Sequence, residues 1–499
     1  MVFKTGMSLA VGAVALVVYL VVASIASWLR LRHIPGPRVA GWSKIWLVKR
    51  QVTGKLVLDL GNVCNQYGPL VRIGPDWVVT NDPVEIRRIW NVHSGYYRSP
   101  WYHGLRFDPT KDSIITSGNN KEHGRLRANV LPGYQGKGIE NQEQLVDEQI
   151  AKFIKLIEQK YLSTRDQLRP LDMSKSMQFL TQDIISSIEF GKPFGYLDAD
   201  EDIWGVIAIF EALLGAVMIG ALFPVLLHIT SSPLMKPFMP KPTDKHGVGR
   251  LLGVIKSHVD QRYGPDKKRS NDVLQSFVDS GLDRHEVESE ALIHMVGGTD
   301  TSALALRNIV FFVSSNSVVY RKLQAEIDAA AKSLSSDIIV SDRQANSLPY
   351  LQAVIKEGLR MWPPVMGLMA RMSDQDDVVC GFKVPAKTHV AWAGWALMKD
   401  KSVFGQDADV FEPQRWLDAD PAQLKTMEAV QGLVFASGSR WECLGKRLAY
   451  VELNKTIFEL FRRFDFAMLD PVQPFTWVSF GTTVHQGMKV KITVREQAS

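Results

Sequence analysis

The chain has 499 residues, 46% of them apolar and 22% charged, with a formal net charge of +6. That composition excludes extensive disorder, and the length allows one large domain or two to three ordinary ones. Three scattered cysteines, Cys64, Cys380 and Cys443, exclude a disulfide framework or a paired-cysteine zinc site, and suit a reducing compartment.

Lysines and arginines are interspersed with acids, and no arginine-rich arm or zinc finger is present, so nucleic acid is not an expected partner. A solvated basic surface is the simplest reading of the charge. Anionic lipid and an acidic protein partner are the alternatives.

Residues 7–29, "MSLAVGAVALVVYLVVASIASWL", carry no charge and are long enough to cross a bilayer as a helix. Arg30, Arg32 and Arg38 follow, and only Lys4 precedes, so the positive-inside rule places the carboxyl side in the cytosol. A cleaved signal peptide competes, because small residues at 23–27 mimic a cleavage site. The run is too long for a signal core and its flanking charge is reversed. We therefore expect an uncleaved single-pass anchor over residues 1–30, with Trp28 near the interface. "HIPGPR" makes a stiff hinge ending at residue 38, and one large domain follows over 39–499.

Residues 39–90 read as a helix and then a small sheet, and from 140 to about 268 the helical period dominates. Inside that stretch, residues 212–229 form a second apolar run, interrupted by two glycines and Pro224. The interruptions favour a buried or membrane-dipping helix pair over a second span. A long helix is expected from about 286 to 314, with further helices in "YRKLQAEIDAAAK" and "LPYLQAVIKEGLRMW", the latter stopped by Pro363 and Pro364. Strand-like pieces lie near 378–390, and a last long helix covers 444–461. The class is mainly α with a minor β-sheet region.

Four motifs stand out. Cys443 in "RWECLGK" directly precedes a helix, where first-turn N–H groups and the helix dipole stabilise negative sulfur. Gly445 permits close approach of another group, and Arg440 is a nearby cation. "GGTDTS" places Gly297 and Gly298 in mid-helix, each costing about 1 kcal/mol relative to alanine. Close helix packing is one explanation, and a backbone passing beside a flat ligand is the other. Asp300 and Thr301 add an acid and a hydroxyl there, the elements of a proton path. "EGLR" sets Glu357 and Arg360 on one helix face, and "FEPQRW" supplies Arg415, so that one Glu could bridge both arginines.

In this order the motifs resemble the cytochrome P-450 superfamily of haem-thiolate monooxygenases over nearly the whole chain, with an N-terminal transmembrane helix before the P-450 fold. "GGTDTS" is similar to the family's oxygen-activation pattern, "EGLR" to its ExxR and "CLGKRLA" to its post-cysteine pattern. The resemblance implies haem b, with Cys443 as axial iron ligand. It also implies haem contacts from Gly297, Gly298, Gly445, Arg440, His123 and Arg127, with Arg371 a further one. Asp300 and Thr301 would move protons, and Glu357, Arg360 and Arg415 would form a structural network. Residues 365–368 would line the pocket near the iron. One place departs: "FASGSRWECLG" has one residue more between Phe435 and Cys443 than the usual loop, so Arg440 lies three residues before the cysteine rather than two.

The implied activity is oxidation of a lipophilic small molecule with O2 and electrons from NADPH. The electrons would come through a separate reductase, with a b-type cytochrome as a second donor. The implied location is the endoplasmic reticulum membrane with a cytosolic catalytic domain. The nearest likeness is to fungal secondary-metabolism members of the pisatin-demethylase-like group. A reductase-independent haem-thiolate isomerase or dehydratase, a non-enzymatic haem protein and a haem-free membrane-tethered interaction protein are the rivals.

Overall fold

In the computed structural model the described residues are 14, 18 and 21–495, apart from 109–110, 140, 231, 264–266, 268, 333 and 336–337. Most of the expected anchor, residues 1–13, 15–17 and 19–20, lies outside them. Its carboxyl end is a short apolar helix, α1 (Val21–Leu31). This end is fastened to the domain by one buried side chain. Arg72 donates to the carbonyls of Ser27, Trp28 and Gly41, which include terminal groups that a helix leaves unpaired. Trp28 stacks on Trp42 at 5.2 Å, so the ring expected near a membrane interface rests on protein. The hinge runs against the first strand. A Cβ on Gly36 would lie 2.2 Å from the Arg72 carbonyl oxygen, an approach that only glycine allows.

The sheet expected after residue 39 comprises β1 (Leu70–Gly74), β2 (Trp77–Thr80), β3 (Tyr97–Arg98), β4 (Arg371–Met372) and β5 (His389–Trp392), in the order β1-β2-β5-β4-β3. β2 and β5 run parallel, and the other pairs are antiparallel. The register of β3 against β4 places Arg98 directly opposite Arg371. A hairpin of β6 (Thr476–Ser479) and β7 (Thr483–Gln486) closes one side of the molecule.

The helical layer contains α2 (Asn120–Tyr134), α3 (Gln142–Leu156), α4 (Met173–Phe190), α5 (Val206–Ala221), α6 (Gly247–Tyr263), α7 (Arg284–Ser314), α8 (Ser317–Ala331), α9 (Pro349–Met361) and α10 (Lys446–Arg463). α7 is the axis of the fold and packs on α4, α6, α9 and α10. It starts two residues before the expected position because Asp283 and Glu286 form a capping box. α10 starts two residues later than expected, since Leu444 and Gly445 form a turn beside Cys443.

The apolar run at 212–229 is a broken pair: α5, an interruption around Pro224, and a short helix Leu226–Thr230. Residues Ile203–Ala221 are long and apolar enough to cross a membrane, yet only 11% of that stretch is buried. Length and composition therefore allow membrane contact without showing it. One face of α5 turns inward, and Phe210, Leu213, Leu214 and Val217 line a cavity beneath it. Gly104 lets the preceding turn touch this helix, since a Cβ there would stand 2.4 Å from the Ala221 Cα.

Candidate active site

Cys443 is held at the mouth of a tight loop. Its N–H donates to the Phe435 carbonyl at 2.8 Å, and Gly438 turns the chain at φ +77°. The backbone N–H groups of Gly445 and Lys446 point at its sulfur. Burial pushes the thiol up from its ordinary pKa and outweighs these N–H groups and the Arg127 charge, which pull it down. The helix start alone therefore does not make a thiolate. A bound cation would have to displace the proton. The surface that Cys443 exposes is cavity wall.

That cavity has a volume of about 1200 Å³ and lies between the cysteine loop, α2, α5, α7 and the β6–β7 turn. Ligand pockets usually span about 300–1,000 Å³, so this one can hold a large prosthetic group and a substrate together.

One wall of it is cationic. Arg98, Arg127, Arg371 and His123 all line the cavity. Arg127 donates to the Glu442 carbonyl at 2.7 Å, one residue from Cys443. Arg371 donates to the Tyr102 hydroxyl at 2.6 Å and stands 4.1 Å over the Trp441 ring. Burial, followed by the Arg98 and Arg127 charges, pushes His123 down to about 3, so it is neutral. Burial also brings Arg98 down to about 9. The Nε atoms of Arg98 and Arg371 are buried without a partner. Two buried guanidinium groups in cross-strand register, each with a spare donor, are unfavourable unless an anion lies between them. The carboxylates of a haem would meet that need, and the Cys443 thiol on the same cavity would take its iron. The residues present fit the group.

Arg440 departs from expectation. It does not line the cavity. Its guanidinium donates instead to the carbonyls of Val92 and Ser94. The extra loop residue moves arginine one position back, so Trp441 takes the place facing the cavity.

On the opposite side, α7 brings Gly297, Gly298, Asp300 and Thr301 to the wall. The two glycines differ. A Cβ on Gly298 would meet Ile185 Cδ1 of α4 at 2.5 Å, whereas one on Gly297 would meet nothing within 4 Å. Gly298 thus serves close helix packing and Gly297 faces open cavity. The Thr301 hydroxyl donates to the Gly297 carbonyl at 2.7 Å. Asp300 accepts from Gln178 at 3.1 Å, and burial raises its pKa above the ordinary carboxylate value. Of residues 365–368, Val365 and Gly367 line the cavity while Met366 and Leu368 are buried in the core, as an extended segment alternates.

The ExxR and arginine-aromatic elements meet behind the cavity. Glu357 and Arg360 are both fully buried, and their bidentate pair spans 2.7 and 2.8 Å. The same carboxylate accepts from Arg415 at 3.0 Å and from the Trp416 indole at 2.9 Å.

Sequence reasoning missed Arg98, Tyr102, Trp441, Gln178 and Glu452. Arg98 lies in an aromatic stretch, "YYRSPWY", with no motif around it. Only its strand register opposite Arg371 reveals it. Cys64 is buried, with its thiol pushed up to about 12 by burial; Cys380 is half-buried rather than fully enclosed.

The cytochrome P-450 family model matches residues 35–486. Among curated proteins, the cytochrome P-450 monooxygenase ABA1 of Pyricularia oryzae is 38% identical over 488 residues, covering 96% of this chain and 95% of its own length. The cytochrome P-450 monooxygenase aba1 of Botryotinia fuckeliana is 35% identical, with 93% and 92% covered. The cytochrome P-450 monooxygenase gsfF of Penicillium aethiopicum is 27% identical, with 93% and 94% covered. With the cysteine loop, the cationic wall and α7 around one cavity, these matches establish that the chain is an oxidoreductase belonging to the cytochrome P-450 monooxygenase family.

Proposed function

We propose that the protein oxidises a lipophilic small molecule with O2 and with electrons from NADPH, delivered by a separate reductase. Its proposed setting is secondary-metabolite biosynthesis at the endoplasmic reticulum membrane, with a single anchor over residues 1–30 and a cytosolic domain. The observation that carries this reading is that Cys443 and Thr301 line one cavity whose surface is largely apolar. When bound, haem would supply activation of O2 at an iron made electron-rich by its thiolate.

The chain's own residues do the rest. Cys443 would ligate the iron, with the Gly445 and Lys446 N–H groups limiting charge build-up on sulfur. Arg98, Arg127, Arg371 and neutral His123 would hold the haem carboxylates. Thr301 keeps its proton on the Gly297 carbonyl and has only to rotate to present it to the cavity. Asp300 retains a proton more readily than an ordinary carboxyl, which suits a donor behind Thr301. Phe210, Leu213, Leu214 and Val217 exclude water and favour an apolar substrate.

Purified protein reduced under carbon monoxide is expected to show the red-shifted Soret band of thiolate ligation. Its absence would sink the reading. Thr301→Ala is expected to lower product formed per NADPH consumed, with more peroxide released. Fully coupled turnover in that variant, or turnover without a reductase, would favour the isomerase or dehydratase alternative.

A further inference from the structure

Besides the cationic wall already described, the cavity lining holds a polar patch built on α4, α5 and α7. There Glu211 of α5, Gln178 of α4 and Asp300 and Arg307 of α7 all line the same space. Gln178 Nε2 donates to Glu211 at 3.2 Å and to Asp300 at 3.1 Å. Gln486 of β7 donates to the other Glu211 oxygen at 3.2 Å. Each of these donors is spent on a carboxyl group, so Glu211 offers a ligand an oxygen acceptor. Arg307 is the exception. It is 1% exposed, gives one N–H to the Ser174 carbonyl at 2.9 Å, and keeps its Nε without a partner.

We propose that Glu211, with Gln178 and Arg307, forms the hydroxyl-binding subsite of this enzyme, so that its substrate is a lipophilic alcohol. This rests on the monooxygenase reading above and specifies its substrate class. A hydroxyl has a proton for the Glu211 carboxyl and a lone pair for Arg307 Nε. A hydrocarbon answers neither group. A carboxylate answers only Arg307 and brings no proton to the Glu211 carboxyl. A ketone likewise leaves the acceptors unused. Glu211 is a neighbour of Phe210 and lies one turn before Leu214, so the subsite adjoins the apolar face that α5 turns to the cavity. The reaction that supplies the substrate must already have placed an oxygen on the carbon skeleton.

The test compares matched probes by equilibrium dialysis on the holoenzyme: 1-dodecanol, dodecane and dodecanoic acid, and farnesol against farnesene. Wild type is expected to bind each alcohol more tightly than its hydrocarbon and than the acid, and this ranking tests the proposal without any variant. Glu211→Leu is expected to reduce the alcohol preference about tenfold, the worth of a net hydrogen bond. Glu211→Gln keeps an acceptor oxygen and is expected to retain most of it. No alcohol preference in wild type, including through absence of binding, overturns the proposal. So does dodecanoate binding as tightly as dodecanol, or an unchanged preference in Glu211→Leu, which would mean that the patch holds water only. The carbon-monoxide spectrum of the same preparations separates the two readings. A red-shifted band with no alcohol preference defeats the subsite alone, and a missing band defeats the monooxygenase chemistry.

Discussion

Arg98 and Arg371 face one another in register across the β3–β4 pair, both buried and both with an unpartnered Nε turned to no protein acceptor. Like charges directly opposite on a sheet are destabilising. A haem carboxylate held between them, as proposed, would offset that repulsion. Arg98→Met should therefore split two properties that usually move together. The apoprotein should gain about 1 kcal/mol in urea unfolding, from relief of repulsion and of buried charge. The haem-to-protein ratio after purification should fall. Loss of both together would mean that Arg98 is structural only.

The lengthened cysteine loop leads to a second expectation. Arg440 holds residues 92–94 through two carbonyls, so Arg440→Ala should cost about 1 kcal/mol of stability. Haem content should stay near wild type. Trp441→Ala removes the ring under Arg371 and part of the cavity wall, and should lower haem content sharply. Pyridine haemochrome assays on both variants check the pair. Equal losses would restore Arg440 to the cavity.

Glu357 ties two arginines and a tryptophan from separate segments into one buried network. Glu357→Ala leaves two guanidinium groups without their shared anion, a change that costs about 3–5 kcal/mol for buried pairs. The variant should fail to accumulate as folded protein, or should melt far below wild type by circular dichroism. A melting point within a few degrees of wild type would count against the network.

How much of this was legible in the sequence depends on the range of the interaction. Cys443, the glycine pair on α7 and the ExxR helix announce themselves because their chemistry is local and their spacing follows helix geometry. The interruption at Pro224 was legible for the same reason. Arg98, Trp441 and Gln178 were not. Arg98 matters through a strand partner more than 270 residues away, and Gln178 through inter-helix contacts with Glu211 and Asp300. The motif around Cys443 also pointed to Arg440, where geometry prefers Trp441, because a one-residue insertion reverses which side chain faces inward. The start of α7 shows the opposite case: "DRHE" holds a readable capping box that fixes the boundary.

The two adjacent glycines of α7 can be separated experimentally. Gly298→Ala brings a methyl group against Ile185 and should destabilise by about 1–3 kcal/mol as α4 and α7 are forced apart. Combining it with Ile185→Ala should recover much of the loss. Gly297→Ala meets no neighbouring atom and should instead add about 0.5–1 kcal/mol from helix propensity. Its methyl group enters the cavity, so haem content or substrate affinity should fall although the fold is firmer. Equal stability effects at the two positions would show that α7 does not approach α4 as described.

Glu452 gives a test that depends on pH. It lies on α10, lines the cavity and is 1% exposed, and the Ser302 hydroxyl is the one group that favours its charged form. Burial pushes its pKa from 4.5 up to about 8, with the Ser302 hydroxyl pulling the other way. In the folded protein the group therefore keeps its proton over a range where the unfolded chain has lost it. The native state binds more protons there, so the Glu452 contribution to stability falls as pH rises from about 4.5 and levels off above about 8. Glu452→Gln cannot ionise. Its stability relative to wild type should be flat below that window, climb through it, and reach a gain of up to about 5 kcal/mol in alkaline buffer. Other buried acids, such as Glu290 at about 8, titrate alike in both chains and cancel. Urea unfolding midpoints at pH 4.5, 6.5 and 8.5 check the slope. Parallel profiles for the two proteins would mean that Glu452 titrates in the fold as it does in the unfolded chain.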